Sequence, residues 1–324
     1  MDINSQLQLG SLTLPHRLIQ GPLAGYSCAP FRAMYALFEQ PAYSVSEMIS
    51  AHDLLYRQPP RFVARAPDER VLCYQLSGDK PDIIAQAARY LESIGADIID
   101  LNCGCPKPKI RKKGAGSALL KDPERLIRII DAVKSSVQIP VTVKIRIQGN
   151  ENDTKIVAAI ASAGADAVIV HGRRWQDDYD IPSNSQPIAA IKKAATIPVI
   201  ANGDIHDSAS LQRLMAESGC DAYMISRAGT GRPWLYQQLL QIEPVAEADR
   251  SFARCVDYFT QHIQGLARLL DNDHQAVLHS KSLVKYYFSA WFQPETLQDY
   301  YQLDALTKIE DYLRSLIGVF GYES

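Results

Sequence analysis

Cys103 and Cys105 stand one residue apart in the stretch DLNCGCPKPKIRKKGAGSALL, residues 100–120. Five cations follow within seven positions: Lys107, Lys109, Arg111, Lys112 and Lys113. A thiol can ligate a metal, form a disulfide, or give and take a proton. A zinc site needs about four ligands, and no second Cys/His pair has the spacing to complete one; no metal is expected. A disulfide fits poorly, because the opening MDINSQLQLG lacks the basic and apolar segments of a secretory signal. The expected setting is therefore the cytoplasm, with reduced thiols. The basic run reads either as a solvated loop or as a local anion-binding patch. Whole-chain charge does not decide between them, since the formal net charge is only -2.

Other residues of chemical interest end apolar runs. Gln75 ends VLCYQ, Lys144 and Arg146 close VTVKIR, His171 follows AVIV, and Asn202-Gly203-Asp204 follows IPVIA. Gln75 alone could bond a loop, His171 alone could be a satisfied structural histidine, and Asn202-Gly203-Asp204 alone is a turn. Lys144 is harder to dismiss, because a lysine ending a buried strand needs an anionic partner or a function.

The elements that carry these residues follow from a repeat. SIGADIIDL (93–101), SAGADAVIV (162–170) and SGCDAYMI (218–225) each join a small-residue turn to an apolar run. That is a helix ending at Gly, an Asp near the turn, then a buried strand. IPVTVKI (139–145) and IPVIANG (197–203) add strands entered through Ile-Pro. The runs are continuously apolar and β-branched, the mark of parallel strands covered on both faces. Strands are expected at 17–20, 43–47, 71–75, 98–101, 141–145, 167–170, 198–201 and 222–225. Helices are expected at 81–93, 123–136, 154–164 and 208–219. Eight strands with intervening helices give an α/β fold, a (β/α)8 TIM barrel. No GxGxxG follows the first strand to favour an open doubly wound sheet. The barrel is expected over 1–240 and a linker over 241–250. An all-α domain of three or four helices follows over 251–324, where the strand repeats stop.

In such barrels chemistry sits at the C-terminal ends of the strands. That rim gathers Gly21–Gly25, Gln75, Asn102–Cys105, Lys144 with Arg146, His171 with Arg173, Asn202–Asp204 and Ser226–Gly229. The last two loops suggest a phosphate site: Gly203, Ser226 and Gly229 leave backbone N–H groups accessible, and Arg227 adds a bidentate cation. In the helical region Lys281 and Lys285 lie one turn apart, opposite a core stripe of Val284, Tyr287, Phe288 and Trp291. They offer a second phosphate contact or plain surface.

Together these residues resemble the tRNA-dihydrouridine synthases, FMN-bearing (β/α)8 barrels followed by a small helical domain. The likeness runs over about residues 15–235. It is densest at Gly21-Pro22-Leu23-Ala24-Gly25, at Asn102 with Gly104-Cys105-Pro106 and Gly116–Leu119, at 198–204 and at 226–234. The resemblance implies that Pro22, Leu23 and Ala24 pass along the flavin ring, that Gln75 and Lys144 meet its pyrimidine edge, and that His171 lies near it. Asn202, Gly203, Asp204, Ser226 and Arg227 would hold the ribityl phosphate. Cys105 would be the proton donor. Asn102 and Arg146, with Arg173, would face the target uracil. Lys107, Lys109, Arg111, Lys112 and Lys113, with Lys281 and Lys285, would contact tRNA phosphates.

Leu23 replaces the family's usual Met and Ser226 its usual Gly; Cys103, Arg111 and Gly114 also depart from the commonest residues. The implied reaction delivers hydride to C6 of uracil and needs a positioned acid at C5, a role a mostly protonated thiol can fill. NADPH is the implied reductant and tRNA the partner, with no membrane and no protein partner, and a monomer as the default. Two other readings remain. One is a flavin barrel acting on a small metabolite, of dihydroorotate dehydrogenase or ene-reductase type, which would need neither the basic run nor the C-terminal helices. The other is an RNA-binding module without catalysis, which the set Cys105, Lys144 and His171 opposes.

Overall fold

The apolar runs do become parallel strands. The computed structural model describes residues 1–242 and 244–321. Its strands are β1 (Leu7–Leu9), β2 (Leu12–Leu14), β3 (Leu18–Gln20), β4 (Ser44–Val45), β5 (Ile49–Ser50), β6 (Leu72–Ser77), β7 (Ile98–Cys103), β8 (Val141–Arg146), β9 (Ala167–His171), β10 (Val199–Asn202) and β11 (Ala222–Ile225). From β3 to β11 all pairings are parallel, in the order β4-β3-β11-β10-β9-β8-β7-β6-β5, and β4 also pairs with β6. That last pairing closes the sheet into the expected barrel.

The repeat has a mechanical purpose that spacing alone did not disclose. Each of its aspartates accepts the first N–H of a neighbouring strand: Asp97 from Leu72, Asp166 from Val141 and Asp221 from Val199, at 2.8, 2.7 and 2.8 Å. Each also pairs with a cation, Arg65, Lys134 and Lys192 respectively. These bonds satisfy backbone donors at the N-terminal end of the barrel, where the ladder has not yet begun. The same end is plugged by the antiparallel hairpin β1–β2, which was not expected. Its Leu7, Leu9 and Leu14 pack with interior residues such as Ile19, Ile98, Ile169 and Ile200. A hairpin of two three-residue strands is too short to show periodicity in sequence.

Three of the expected helices run Pro81–Ser93, Pro123–Lys134 and Ser208–Ser218. Asp122 caps the second by accepting from Arg125 N. The fourth is Asn152–Ser162, and Ser185–Ala194 is an additional helix capped by Asn184. The strand expected at 43–47 breaks after Val45: Ser46 turns to accept from Gln75 N at 3.1 Å, and pairing resumes at Ile49.

Beyond β11 come a helix at Leu235–Leu240 and a 3-10 turn at Glu247–Arg250, which leads into the helix Phe252–Leu270. Within the expected linker, Glu243 lies outside the described residues, as do 322–324 of the helical region. Further helices are Asp273–Tyr287, Pro294–Tyr301, Leu306–Ser315 and Ile317–Phe320, one more than the sequence suggested. They share one apolar cluster with the outer layer of the barrel, through Phe31, Tyr35 and Tyr236 on one side and Phe259, Tyr287 and Phe288 on the other. The contact is close at two glycines. A Cβ on Gly265 would stand 2.9 Å from Pro30, and one on Gly231 would stand 2.6–2.7 Å from the backbone of Tyr286 and Tyr287.

Gly231 and Gly219 therefore make a controlled pair. Both have left-handed φ, +72° and +59°, but a Cβ on Gly219 would meet nothing within 4 Å. Gly219→Ala should cost about 1 kcal/mol, the left-handed penalty alone. Gly231→Ala adds a backbone clash and should cost about 2–4 kcal/mol. Urea midpoints at constant m-value would measure both; equal losses would refute the close contact.

Candidate active site

At the C-terminal end of the barrel a cavity of about 760 Å³ opens between the strand-end loops and the helix Asp273–Tyr287. Its floor is organised by a buried carboxylate. Asp100, on β7, accepts from Thr142 Oγ1 at 2.7 Å and from Gln75 Nε2 at 2.7 Å. Burial pushes its pKa up, while Gln75, Thr142 and the Lys144 charge pull it down. Gln75 Oε1 then accepts from Asn102 Nδ2 at 2.8 Å, and Asn102 Oδ1 accepts from Cys105 N at 3.0 Å and from Gly104 N at 3.3 Å. A continuous chain of bonds thus runs from the barrel axis to the backbone of Cys105. Asn102, expected to face a uracil, lines the cavity but has both ends of its amide engaged in holding this turn.

A second chain starts at Lys144. Its Nζ donates to Asn202 Oδ1 at 2.8 Å, and Asn202 Nδ2 donates to Met224 O at 2.9 Å and Ser226 Oγ at 3.4 Å. Ser226, the departure from the usual glycine, therefore uses its hydroxyl within the β10–β11 end. Lys144 is partly buried with its ammonium open to the cavity, and burial lowers its pKa against the pull of Asp100.

His171 stands among cations. Burial, then Lys144, Arg146, Arg173 and Arg227, hold its pKa far below the ordinary 6.5, so it is neutral. Arg173 Nη1 lies 3.2 Å from His171 Nε2. Arginine can only donate, so Nε2 accepts and the ring proton sits on Nδ1. Arg173, expected to face the substrate, lines the cavity. It is buried, it meets both Asp204 oxygens at 2.8 Å, and its remaining donors go to the carbonyls of Tyr179 and Ile181. With its donors committed, Arg173 fixes the loops after β9 and β10 instead of reaching outward. Asp204, with φ +51°, also accepts from Ser183 N.

Cys105 is half-buried at the cavity wall. The loop behind it can approach only because residue 116 is glycine: a Cβ there, at φ +60°, would fall 2.8 Å from Cys105 O. Of the basic run, Lys107 lines the cavity mouth, and Lys109, Lys112 and Lys113 are exposed beyond it. Arg111 departs from the group, donating to Ser117 Oγ at 2.8 Å and lying 3.6 Å above the Trp175 ring. Lys285 lines the cavity, whereas Lys281 donates to Tyr301 O at 2.7 Å, so only Lys285 of that pair borders the site. Arg146 donates to Arg174 O and lies 5.9 Å from the Tyr179 ring. Tyr179, Arg232, Tyr286 and Met48 also line the cavity and were not singled out from sequence. Met48, Tyr179 and Arg232 sit in loops, and Tyr286 lies off the apolar stripe of its helix, so no pattern flags them.

The model of the family described as dihydrouridine synthase matches residues 19–310. The chain belongs to the dihydrouridine synthase family. It is 38% identical over 241 residues to tRNA-dihydrouridine synthase B of Pseudomonas aeruginosa, covering 72% of each chain. It is 33% identical over 278 residues to a probable tRNA-dihydrouridine synthase of Rhodobacter capsulatus, covering 82% of this chain and 85% of that one. Among solved structures, 6-hydroxypseudooxynicotine amine oxidase of Pseudomonas geniculata N1 aligns over 80% of this chain with a TM-score of 0.59 at 14% identity. Histamine dehydrogenase of Rhizobium sp. 4-9 does so over 81%, with the same score and identity. The chain spans about half the length of those two structures, 52% and 51%, and the likeness concerns the fold alone.

The residues present fit a flavin mononucleotide. Pro22, Leu23, Ala24 and Met224 give an apolar wall, and the Lys144 ammonium keeps two hydrogens free of protein bonds at the floor. At the other end Arg227 is half-exposed; its carboxylate neighbour Asp204 is 3.9 Å away, and it makes no hydrogen bond within the protein among the described residues. A guanidinium left with its donors free suits a phosphate.

Neutral His171 carries a pH signature. The unfolded chain takes up a proton near the ordinary histidine pKa of 6.5, whereas the native ring refuses it far below that. Stability is therefore lost as pH falls below 6.5, and this contribution is fully present above it. His171→Gln should flatten that slope by up to about 1.4 kcal/mol per pH unit, read from urea midpoints between pH 6.5 and roughly 5. An unchanged slope would mean that native His171 titrates normally.

Proposed function

We propose that this chain is a flavin-dependent tRNA-dihydrouridine synthase that reduces the C5=C6 bond of a uridine in tRNA, with NADPH as reductant, acting as a cytoplasmic monomer of a barrel (1–240), a linker (241–250) and a tRNA-binding helical domain (251–324). The observation that carries this reading is a thiol and a buried ammonium opening into one cavity with unpaired cations at its mouth. The flavin, when bound, supplies the hydride that reaches C6.

The chain's own residues do the rest. Hydride at C6 pushes the C5=C6 electron pair into an enolate on the C4 carbonyl, and C5 must then take a proton. Cys105 provides it, giving up the thiol proton and becoming a thiolate. Asn102 and Gly116 fix the height of the thiol, the first by holding Cys105 N and the second by allowing the loop at 116 to close. Arg146, which lies close enough to Cys105 to interact electrostatically with it, stabilises the thiolate left behind. Lys144 presents positive charge at the floor, where it would offset negative charge on a bound flavin. Neutral His171 offers Nδ1–H as a donor without adding a fifth charge to the wall.

A uracil reaches this depth only when turned out of its stack, which costs a few kcal/mol and less in a loop. Lys107 and Lys285 line the mouth, Lys109, Lys112 and Lys113 are exposed beyond it, and none of the five has a carboxylate partner among the described residues, so they can contact RNA phosphates. A small metabolite would leave this patch without a purpose. No helix among the described residues is long and apolar enough to cross a membrane.

Incubation with unmodified tRNA and NADPH, followed by mass spectrometry of the digested RNA, should show dihydrouridine at a discrete position. NADPH oxidation by a yellow protein with no dihydrouridine would favour a small-molecule substrate. Cys105→Ala should slow dihydrouridine formation by roughly 10²–10⁴-fold while leaving flavin reduction by NADPH intact; loss of flavin reduction would reassign the cysteine. Lys144→Met should do the reverse, slowing flavin reduction by at least about tenfold with tRNA affinity within twofold of wild type.

A further inference from the structure

A second, smaller cavity of about 360 Å³ adjoins the first. It is lined by Pro106, Pro108, Arg111, Lys112 and Trp175, and Pro106 lines both. Trp175 is half-buried and packs into neither of the two apolar cores, so folding does not account for it. It is held in place all the same. The Arg111 guanidinium lies 3.6 Å above its ring, Lys121 Nζ is 5.7 Å from the ring centre, and Arg111 is itself fixed by its bond to Ser117 Oγ. Arg111, Lys112 and Lys121 have no carboxylate partner among the described residues. The groove is therefore flat-walled, aromatic and strongly cationic, and it begins at Pro106, the residue after the thiol.

We infer that this groove is a second nucleobase subsite, occupied by an unpaired base next to the target uridine in the same tRNA strand. The inference rests on the tRNA reading above. A base stacks on tryptophan or on an arginine plane with little sequence preference, and its phosphate seeks cations. Proline rings on one side and the Arg111–Trp175 stack on the other admit a planar ring. The continuity at Pro106 places that ring one strand step from the catalytic cavity. Turning the target uridine out of its stack leaves its neighbour without a stacking partner; Trp175 and Arg111 replace that partner.

Trp175→Ala and Trp175→Phe in the full-length, flavin-loaded protein test this. Trp175→Ala should raise the KM for tRNA about tenfold, with flavin reduction by NADPH unchanged and the salt dependence of binding unchanged, because a stacked ring releases no counterions. Trp175→Phe should recover most of the loss. Independently of turnover, unmodified tRNA should quench the tryptophan emission of the wild type and not of Trp175→Phe. Heparin, a polyanion without bases, should quench neither. Wild-type dihydrouridine formation with Trp175→Ala inside twofold of it would overturn the subsite alone. Equal quenching by heparin would also overturn it, reducing the groove to an anion patch. A wild type that neither binds nor modifies tRNA would overturn the subsite together with the functional reading on which it rests.

Discussion

The Asp100 carboxylate is the group on which the rest of the site depends. It is buried at the barrel centre with no arginine or lysine in direct contact among the described residues, so its charge is carried by two hydrogen bonds and by the field of Lys144. A buried carboxylate is tolerable only when its lone pairs are satisfied. Satisfying them fixes the rotamers of Gln75 and Thr142. Gln75 then has one orientation in which its oxygen faces Asn102, and Asn102 has one in which its oxygen faces Cys105 N. The thiol is thus positioned by electrostatics that begin three hydrogen bonds away, at a carboxylate on β7 held between β6 and β8.

The same carboxylate explains how a lysine can live at the floor. Lys144 sits one strand away from Asp100 in a low-dielectric interior, and the pair shares the cost of burial. Asn202 takes one of the lysine's hydrogens and passes the constraint to Ser226 and β11. Two hydrogen-bonded chains therefore leave the floor, one towards the thiol and one towards the cationic rim. They make the two ends of the cavity rigid with respect to each other, a requirement when donor and acceptor atoms must meet within a few tenths of an ångström.

The barrel was legible because continuous β-branched runs and a recurring turn of Gly, a small residue and Asp have few other uses. The rim residues followed from it, since strand ends are where the topology puts them. What stayed hidden were roles that depend on partners distant in sequence. Asp100 reads as one residue inside the run IIDL, and nothing local shows that Thr142 and Gln75 will face it. Arg173 follows His171 and looks like an outward cation; only the fold brings Asp204 round to claim it. The β1–β2 hairpin is too short to carry a period, and the strand at 43–47 breaks after Val45 because Ser46, whose own N–H still donates to Cys73 O, offers Gln75 N its hydroxyl in place of its carbonyl. Tyr179 and Trp175 lie in a polar loop, where an aromatic residue has no pattern to join.

Charge completes the argument. Four cations, Lys144, Arg146, Arg173 and Arg227, surround neutral His171, against the two carboxylates Asp100 and Asp204. Burial first, and then this positive surplus, to which a protonated His171 would add, hold the ring neutral. The surplus itself has a direction: Asp204 is held by Arg173 and lies 3.9 Å from Arg227, Lys144 is offset by Asp100, and the least compensated charges are Arg227 at one end and Arg146, in the field of Cys105, at the other. In the function proposed above, a phosphate at the first position and the thiolate of Cys105 at the second are the two charges these cations would meet. Beyond the second lies the unpaired basic run, so the potential continues without a break from the reacting atoms to the surface where a polyanion would arrive.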